Sequence, residues 1–293
     1  MTTQIKSKAS KPLSSALYRH PKRRLASLLT LPMTWLVGVY ILAIILMLLT
    51  AFWYTDPFTS KVKPGFTLDN FISIVQVPAY LAASLRTLGI AASVTATCIV
   101  FAIPLAIYMA KIAPVWQRSV LVVLVTLPLW AGYLVKILSI RIVFSESGFI
   151  NSTFGWLGIN SPGYGVFVTI VALVYLWFPY MIIPVYTAVS QIPENLFNAS
   201  SDLGAKGFRT ITSVVLPLLK PALIAGSIFT FSLSLGDYLA AKFVGGSTQM
   251  IGTIIASNIN LNPPVAAAFS VVPIVIVVTF LVIVRRSGAL ENI

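Results

Sequence analysis

Six long apolar runs divide the chain, at about Leu31–Tyr54, Leu85–Ala110, Val120–Ile140, Val166–Val189, Ala222–Val244 and Val265–Val284. A helix rising about 1.5 Å per residue needs about twenty residues to cross a bilayer, so each run is long enough. The runs are continuous rather than alternating. That favours helices over a closed barrel, the other way to satisfy backbone polar groups in lipid. The pattern predicts an all-α membrane protein with six transmembrane helices. The first run ends in Ala51-Phe52-Trp53-Tyr54, an aromatic belt at the interface, so it should remain as an anchor. The second is rich in small residues (Gly89, Ala91, Ala92, Ser93, Ala96) that let helices approach closely, and Pro104 should bend it. Pro128-Leu129-Trp130 and Lys136 interrupt the third, while Pro179 and Pro184 should kink or unwind the fourth.

The polar segments differ in character. Residues 55–83 form an external loop with room for one surface helix, and residues 141–165 a second, glycine-rich loop carrying Glu146. Residues 192–221, between the fourth and fifth runs, are more regular. Pro193-Glu194 resembles a helix start, and Leu196, Phe197, Ala199 and Leu203 follow at helical spacing. Gly204 closes that helix, Phe208, Ile211 and Val215 begin another, and Leu216-Pro217 and Pro221 should cap it. A short helix, a glycine break and a second short helix, with apolar residues to offer, point to a docking element for a partner.

Composition agrees with the membrane reading: the chain has 293 residues, 58% hydrophobic and 9% charged. A soluble domain carries about a quarter charged residues. The net charge of +13 does not point to nucleic acid, because the basic residues flank the spans. Fourteen of the 20 Lys and Arg fall in the N-terminal tail, the turn holding Lys111 and Arg118, the 192–221 segment and Arg285-Arg286, against six elsewhere. The positive-inside rule therefore places both termini and the docking segment in the cytoplasm. The expected organisation is a basic tail over residues 1–27 whose end can lie along the headgroups, a six-helix domain over 28–286, and a C-terminal tail over 287–293. Cys98, the sole cysteine, lies in an apolar run and reads as a packed thiol; His20, the sole histidine, lies in the tail. Neither supports a metal site or an intramembrane enzyme. The absence of a G-x-x-x-x-G-K-[ST] loop leaves no usual phosphate cradle here, so driving energy has to arrive through a partner.

Asn198-Ala199-Ser200-Ser201-Asp202-Leu203-Gly204-Ala205, followed by Leu216-Pro217, resembles the conserved cytoplasmic loop of bacterial ABC importer permeases. Ala199, Asp202, Gly204, Ala205, Leu216 and Pro217 match the family pattern, while Asn198 stands at the family's glutamate and Ser200 at its second alanine. Ser147-Gly148-Phe149-Ile150-Asn151, Ser234-Leu235-Gly236-Asp237-Tyr238, Gly245-Gly246, Met250-Ile251-Gly252 and Ala266-Ala267-Ala268-Phe269-Ser270 are similar to the spermidine/putrescine branch. The resemblance implies the type I permease fold with a cytoplasmic coupling helix, in the bacterial inner membrane. It also implies a second permease subunit, two ATPase subunits that hold ATP and Mg, and an extracytoplasmic solute-binding protein. No cofactor and no catalytic residue are expected on this chain. The ATPase-coupling residues would be Asn198, Ala199, Asp202, Leu203, Gly204, Ala205, Leu216 and Pro217.

Charges at membrane depth are costly and mark candidate sites. Asp237 is the one acidic residue expected well inside a span, the fifth. Beside aromatic faces it could hold a polyamine by charge and cation–π attraction, with Tyr238, Trp130, Tyr133, Trp177 and Tyr180 as pathway neighbours. Alternatively it forms a structural ion pair with Lys136 or Lys242. An importer permease for another small solute such as an amino-acid derivative, and a stand-alone secondary transporter, are further alternatives, although no internal repeat supports the latter.

Overall fold

The computed structural model describes residues 21–59 and 61–286. The expected basic tail, up to residue 20, and the C-terminal tail at 287–293 lie outside the described residues. The chain divides into two compact units, residues 1–50 and residues 51–293.

In the first unit, α1 (Pro21–Trp35) runs through a π-helical segment, Leu36–Ile41, into α2 (Leu42–Thr50). The stretch Leu28–Thr50 is long and apolar enough to cross a membrane. None of its side chains is buried, as suits a helix whose solvent is lipid.

The second unit opens with an antiparallel pair, β1 (Tyr54–Thr55) and β2 (Val62–Lys63), in which Tyr54 faces Lys63. Asp56 closes the turn. Its carboxylate pairs with Lys63 and accepts the amides of Phe58 and Thr59 at 2.9 and 3.2 Å. The Lys63 hydrogen bond first, then the two amides, hold that carboxyl down at about 2, so the turn stays ionised near neutral pH. α3 (Asp69–Gln76) follows, and buried Asn70 donates to the carbonyls of Ala51 and Trp53, both at 2.8 Å. The hairpin is an addition to the external loop with one surface helix expected here, and α3 stands where that helix was expected.

Three long helices make the core. They are α4 (Pro78–Ile107), extended by a π segment Tyr108–Ile112, α8 (Val166–Gln191) and α11 (Leu216–Leu235). All three pairs pack against one another. Small residues on α4 (Val94, Cys98, Ala102, Ala106) meet Leu173, Leu176, Met181 and Ile182 of α8 and Leu219 of α11. Cys98 is buried and free, as expected. At Gly226 of α11 an added Cβ would sit 2.6 Å from Met181 Sδ and 3.1 Å from its Cα, so the absent side chain sets the α8–α11 distance. α14 (Pro263–Arg286) packs on α13 (Ile251–Asn258) and on α3. Among the described residues five helical stretches can span a membrane, and a bent pair makes a sixth.

That pair corrects the third span. Instead of one helix over Val120–Ile140, α5 (Val115–Trp130) and α6 (Tyr133–Val143) meet at 102°, and the short α7 (Phe149–Phe154) follows. Pro128 lacks an amide hydrogen, and Ala131-Gly132 adopt extended backbone where the helix would have continued. The second span starts earlier than expected, at Pro78, and ends at Ile112. The fourth does not unwind, for Pro179 and Pro184 both sit inside continuous α8.

The fifth span shows the largest shift. A single helical run covers Gly207–Leu235 rather than Ala222–Val244. It comprises α10 (Gly207–Thr210), a π segment Ile211–Val215, and α11. Leu216-Pro217 and Pro221 therefore do not cap a short helix; they lie within the run. Pro217 stands in the first turn of α11 just beyond the wide π turn, where its missing amide costs least. The 192–221 segment thus ends, as a loop, at residue 206.

Replacing Gly226 by Leu should destabilise the packed spans by about 1–3 kcal/mol, since the new side chain meets α8 backbone. The midpoint of thermal denaturation in detergent checks this, and an unchanged midpoint contradicts the close approach.

Candidate functional site

α11 stops at Leu235, and Gly236-Asp237 leave the helix before α12 (Leu239–Val244) begins. Asp237 therefore sits in a break between two helices and not inside the fifth span. It is 6% exposed. Its Oδ1 accepts the amide of Ala240 at 2.8 Å, in the first turn of α12, and its Oδ2 accepts the Tyr133 hydroxyl. Tyr133 opens α6, directly after the bend in the third span. The two broken helices thus meet through one phenol and one carboxylate. This replaces the expected ion pair. Among the described residues Asp237 makes none; Lys136 is buried without a carboxylate partner, and Lys242 Nζ lies 5.8 Å from the Tyr238 ring centre.

A cavity of about 330 Å³ opens here, lined by Tyr133, Trp177, Ser232, Gly236, Asp237 and Tyr238. The Tyr133 and Trp177 rings stack with centroids 6.0 Å apart. Among the described residues buried Trp177 Nε1 and Ser232 Oγ have no hydrogen-bond partner, so both are free to meet a polar group in the cavity. Behind the cavity, a Cβ added at Gly252 of α13 would stand 2.6 Å from Tyr238 Cβ and 2.9 Å from the Asp237 carbonyl oxygen. Gly252 allows α13 to back directly onto the break.

Of the expected pathway residues, the structure brings Tyr133, Trp177, Asp237 and Tyr238 together. Tyr180 joins only through its ring contact with Trp177, at 5.8 Å, and Trp130, 90% exposed at the end of α5, does not line the cavity. The sequence pattern alone does not single out Ser232, although a hydroxyl five residues before a carboxylate near the end of a span is a usable signal. A larger groove of about 960 Å³ between α4, α5 and α8 is walled mostly by apolar side chains such as Phe101, Leu124 and Phe167. Such a lining suits lipid tails or a neighbouring helix better than a charged solute.

The second candidate lies at the other end of α11. α9 (Glu194–Asp202) ends in a Schellman turn, in which the Ala205 amide reaches the Ser200 carbonyl at 3.0 Å and the Gly204 amide reaches that of Ser201 at 2.8 Å. That turn requires the left-handed backbone of Gly204, φ +76°. A buried hydrogen bond between the Ser200 and Thr210 hydroxyls, 2.9 Å, fixes α9 against α10. Asn198, Ala199, Asp202 and Pro217 are exposed, and Ala205 and Leu216 are half-buried. Leu203 is 89% and Phe208 79% exposed, so the turn presents two large apolar side chains outward. Phe208 was read only as the start of a helix; its exposure is a property of the turn geometry.

A family model described as "Binding-protein-dependent transport system inner membrane component" matches residues 102–290. The chain belongs to that family. Inner membrane ABC transporter permease protein YdcU of Escherichia coli (strain K12) is 35% identical to this permease over 297 residues, 95% of this chain and 94% of that one. Spermidine/putrescine transport system permease protein PotB of the same organism is 30% identical over 265 residues, 88% of this chain and 95% of that one. In structure, the permease aligns with a chain of a bacterial alginate ABC transporter in complex with an alginate pentasaccharide-bound periplasmic protein. The TM-score is 0.74 at 16% identity, over 92% of this chain and 95% of that one. The fold is thus that of the type I ABC importer permeases, and the permease is a multi-pass protein of the inner membrane.

Removing the phenol hydroxyl with Tyr133→Phe leaves a buried carboxylate oxygen without its donor. The variant should lose about 1–3 kcal/mol of stability, read as a lower denaturation midpoint in detergent. No change would mean the two broken helices do not depend on that hydrogen bond.

Proposed function

We propose that this permease forms one half of the translocation pathway of an ATP-driven importer for a polyamine or a similar small cationic solute. The observation that carries the reading is the buried Asp237 carboxylate, set among the Tyr133, Trp177 and Tyr238 rings where the third span bends and the fifth ends. A carboxylate supplies the charge complement of an ammonium, and ring faces add cation–π attraction of about 0.5–2 kcal/mol. Methylene segments between the amines lie well against the same rings. The kinship with a permease named for spermidine/putrescine transport supports the same solute class.

The remaining parts of the machine follow from what this chain lacks and offers. A second permease closes the pathway, a solute-binding protein delivers cargo from outside, and two ATPase subunits hold ATP and Mg. The chain itself carries no catalytic residue and no cofactor. The α9–α10 turn is the coupling element: Leu203 and Phe208 enter an ATPase groove, with Asn198, Ala199, Asp202, Gly204, Ala205, Leu216 and Pro217 shaping it. Fourteen Lys and Arg on the side of this turn support a cytoplasmic location for it and for both termini.

Two measurements test the reading. In vesicles holding the full importer, Asp237→Asn should lower ATP-dependent spermidine uptake at least about tenfold, equivalent to about 1.4 kcal/mol, without loss of assembled complex. Uptake equal to wild type would remove Asp237 from the pathway. Leu203→Asp should insert normally but fail to co-purify the ATPase. Retention of the ATPase would argue against this turn as the contact, and uptake without any ATPase would argue against an ATP-driven importer.

A further inference from the structure

Lys111 lies in the last turn of the π segment that closes α4, the second span. A cation there faces the partial negative charge of a helix C-terminus, which alone would explain it. Its ammonium does more than that. Nζ donates to the carbonyl of Ile192 at 2.6 Å, and it lies 5.5 Å from the centre of the Phe197 ring. Ile192 is the buried residue directly after α8, and Phe197 stands in the middle of α9. One side chain therefore joins the ends of two core spans to the docking helix.

Arg118 makes this arrangement possible. Its guanidinium donates to the carbonyls of Met109 and Ala110 at 3.0 and 2.9 Å, which occupies carbonyls that the end of α4 leaves unpaired. With that task taken, Lys111 extends away from its own helix end.

The mechanical consequence comes from the connection between α8 and α9. Only Ile192 and Pro193 separate Gln191 from Glu194, and both have extended backbone. Pro193 has a fixed φ, so any pivot falls on the φ and ψ of Ile192 and the ψ of Pro193. α9 is a lever of about 13 Å at 1.5 Å per residue, with Leu203 at its far end. A push on Leu203 and Phe208 would spend itself in rotation about that pivot unless the lever were tied near its base. The Lys111 ammonium ties it there, on the carbonyl of Ile192 and the face of Phe197.

We propose that Lys111 is a positioning residue that locks the docking helix α9 to the ends of α4 and α8, so that ATPase motion reaches the spans. The proposal rests on the reading of α9–α10 as the ATPase contact. It concerns transmission rather than attachment, and the two separate experimentally.

The test uses the full importer in vesicles, with a cysteine placed at exposed Trp130 as a reporter of span movement. Maleimide labelling is followed with and without ATP plus vanadate. With Lys111 present the nucleotide should change the labelling rate. Lys111→Met keeps length and removes the donors and the charge. It should retain the bound ATPase yet reduce the nucleotide-dependent change at least fivefold, and Lys111→Arg should restore most of it. If Lys111→Met fails to accumulate, Phe197→Leu removes the ring face at similar volume and should weaken the same response with the ATPase still bound. A nucleotide response equal to the parent's in Lys111→Met, or in Phe197→Leu where that variant stands in, overturns the proposal, even if stability falls. If Leu203→Asp still binds the ATPase, the docking reading itself fails, whatever Lys111 does.

Discussion

A backbone that leaves its helix inside a bilayer exposes amides and carbonyls that no water can satisfy, so every break needs protein around it. Among the described residues the third span holds such a break, after Trp130, and the structure sets it against the end of the fifth span, after Leu235. The Asp237 carboxylate takes up the amide of Ala240, and the Tyr133 hydroxyl takes up the carboxylate's other oxygen. Much else at this end of the fold is arranged for that meeting. α13 backs onto it through Gly252, and α8 contributes Trp177 to its wall. The cavity is then a by-product of the meeting of the bent third span with the end of the fifth, and a carboxylate in it is tolerable because its neighbours donate to it.

The end of the molecule that carries α9 and α10 solves the opposite problem. There the chain needs a stiff projection rather than a sheltered break. The Schellman turn at Gly204, the buried Ser200–Thr210 hydroxyl pair and the Lys111 ammonium remove the freedom a 15-residue connector would otherwise have, as counted from Ile192 through Lys206. Holding two large apolar side chains in the open costs solubility, which is reasonable only where a partner covers them. The stiffness and the exposed Leu203 and Phe208 therefore belong together.

Much of this was legible in the sequence, and unevenly so. Six apolar runs gave the spans because hydrophobic length is a strong and local signal. The glycine break was equally plain, since Gly204 follows a helical repeat. Prolines misled in both directions. Pro179 and Pro184 looked like points of unwinding but sit inside packed α8, while Pro128 accompanies a 102° bend. Whether a proline breaks a helix depends on what packs around it, which a one-dimensional pattern does not carry. Leu216-Pro217 looked like a cap for the same reason, and the π segment before it was invisible to a 3.6-residue period. Asp237 was recognisable as an unusual charge. Its partner was not: lysines were the obvious choice by charge, and the fold offered a tyrosine 104 residues away.

The π segment Ile211–Val215 has a consequence for how the two ends of the molecule relate. It lies in one uninterrupted helical run that carries Phe208 near its start and ends two residues before Asp237. One extra residue in a turn rotates everything beyond it by about 100°, because a helix has 3.6 residues per turn. The rotational phase between the exposed Phe208 side chain and the Asp237 break is thus set by a residue count. Deleting a single residue between 211 and 215 would leave both ends chemically intact and turn one away from the other.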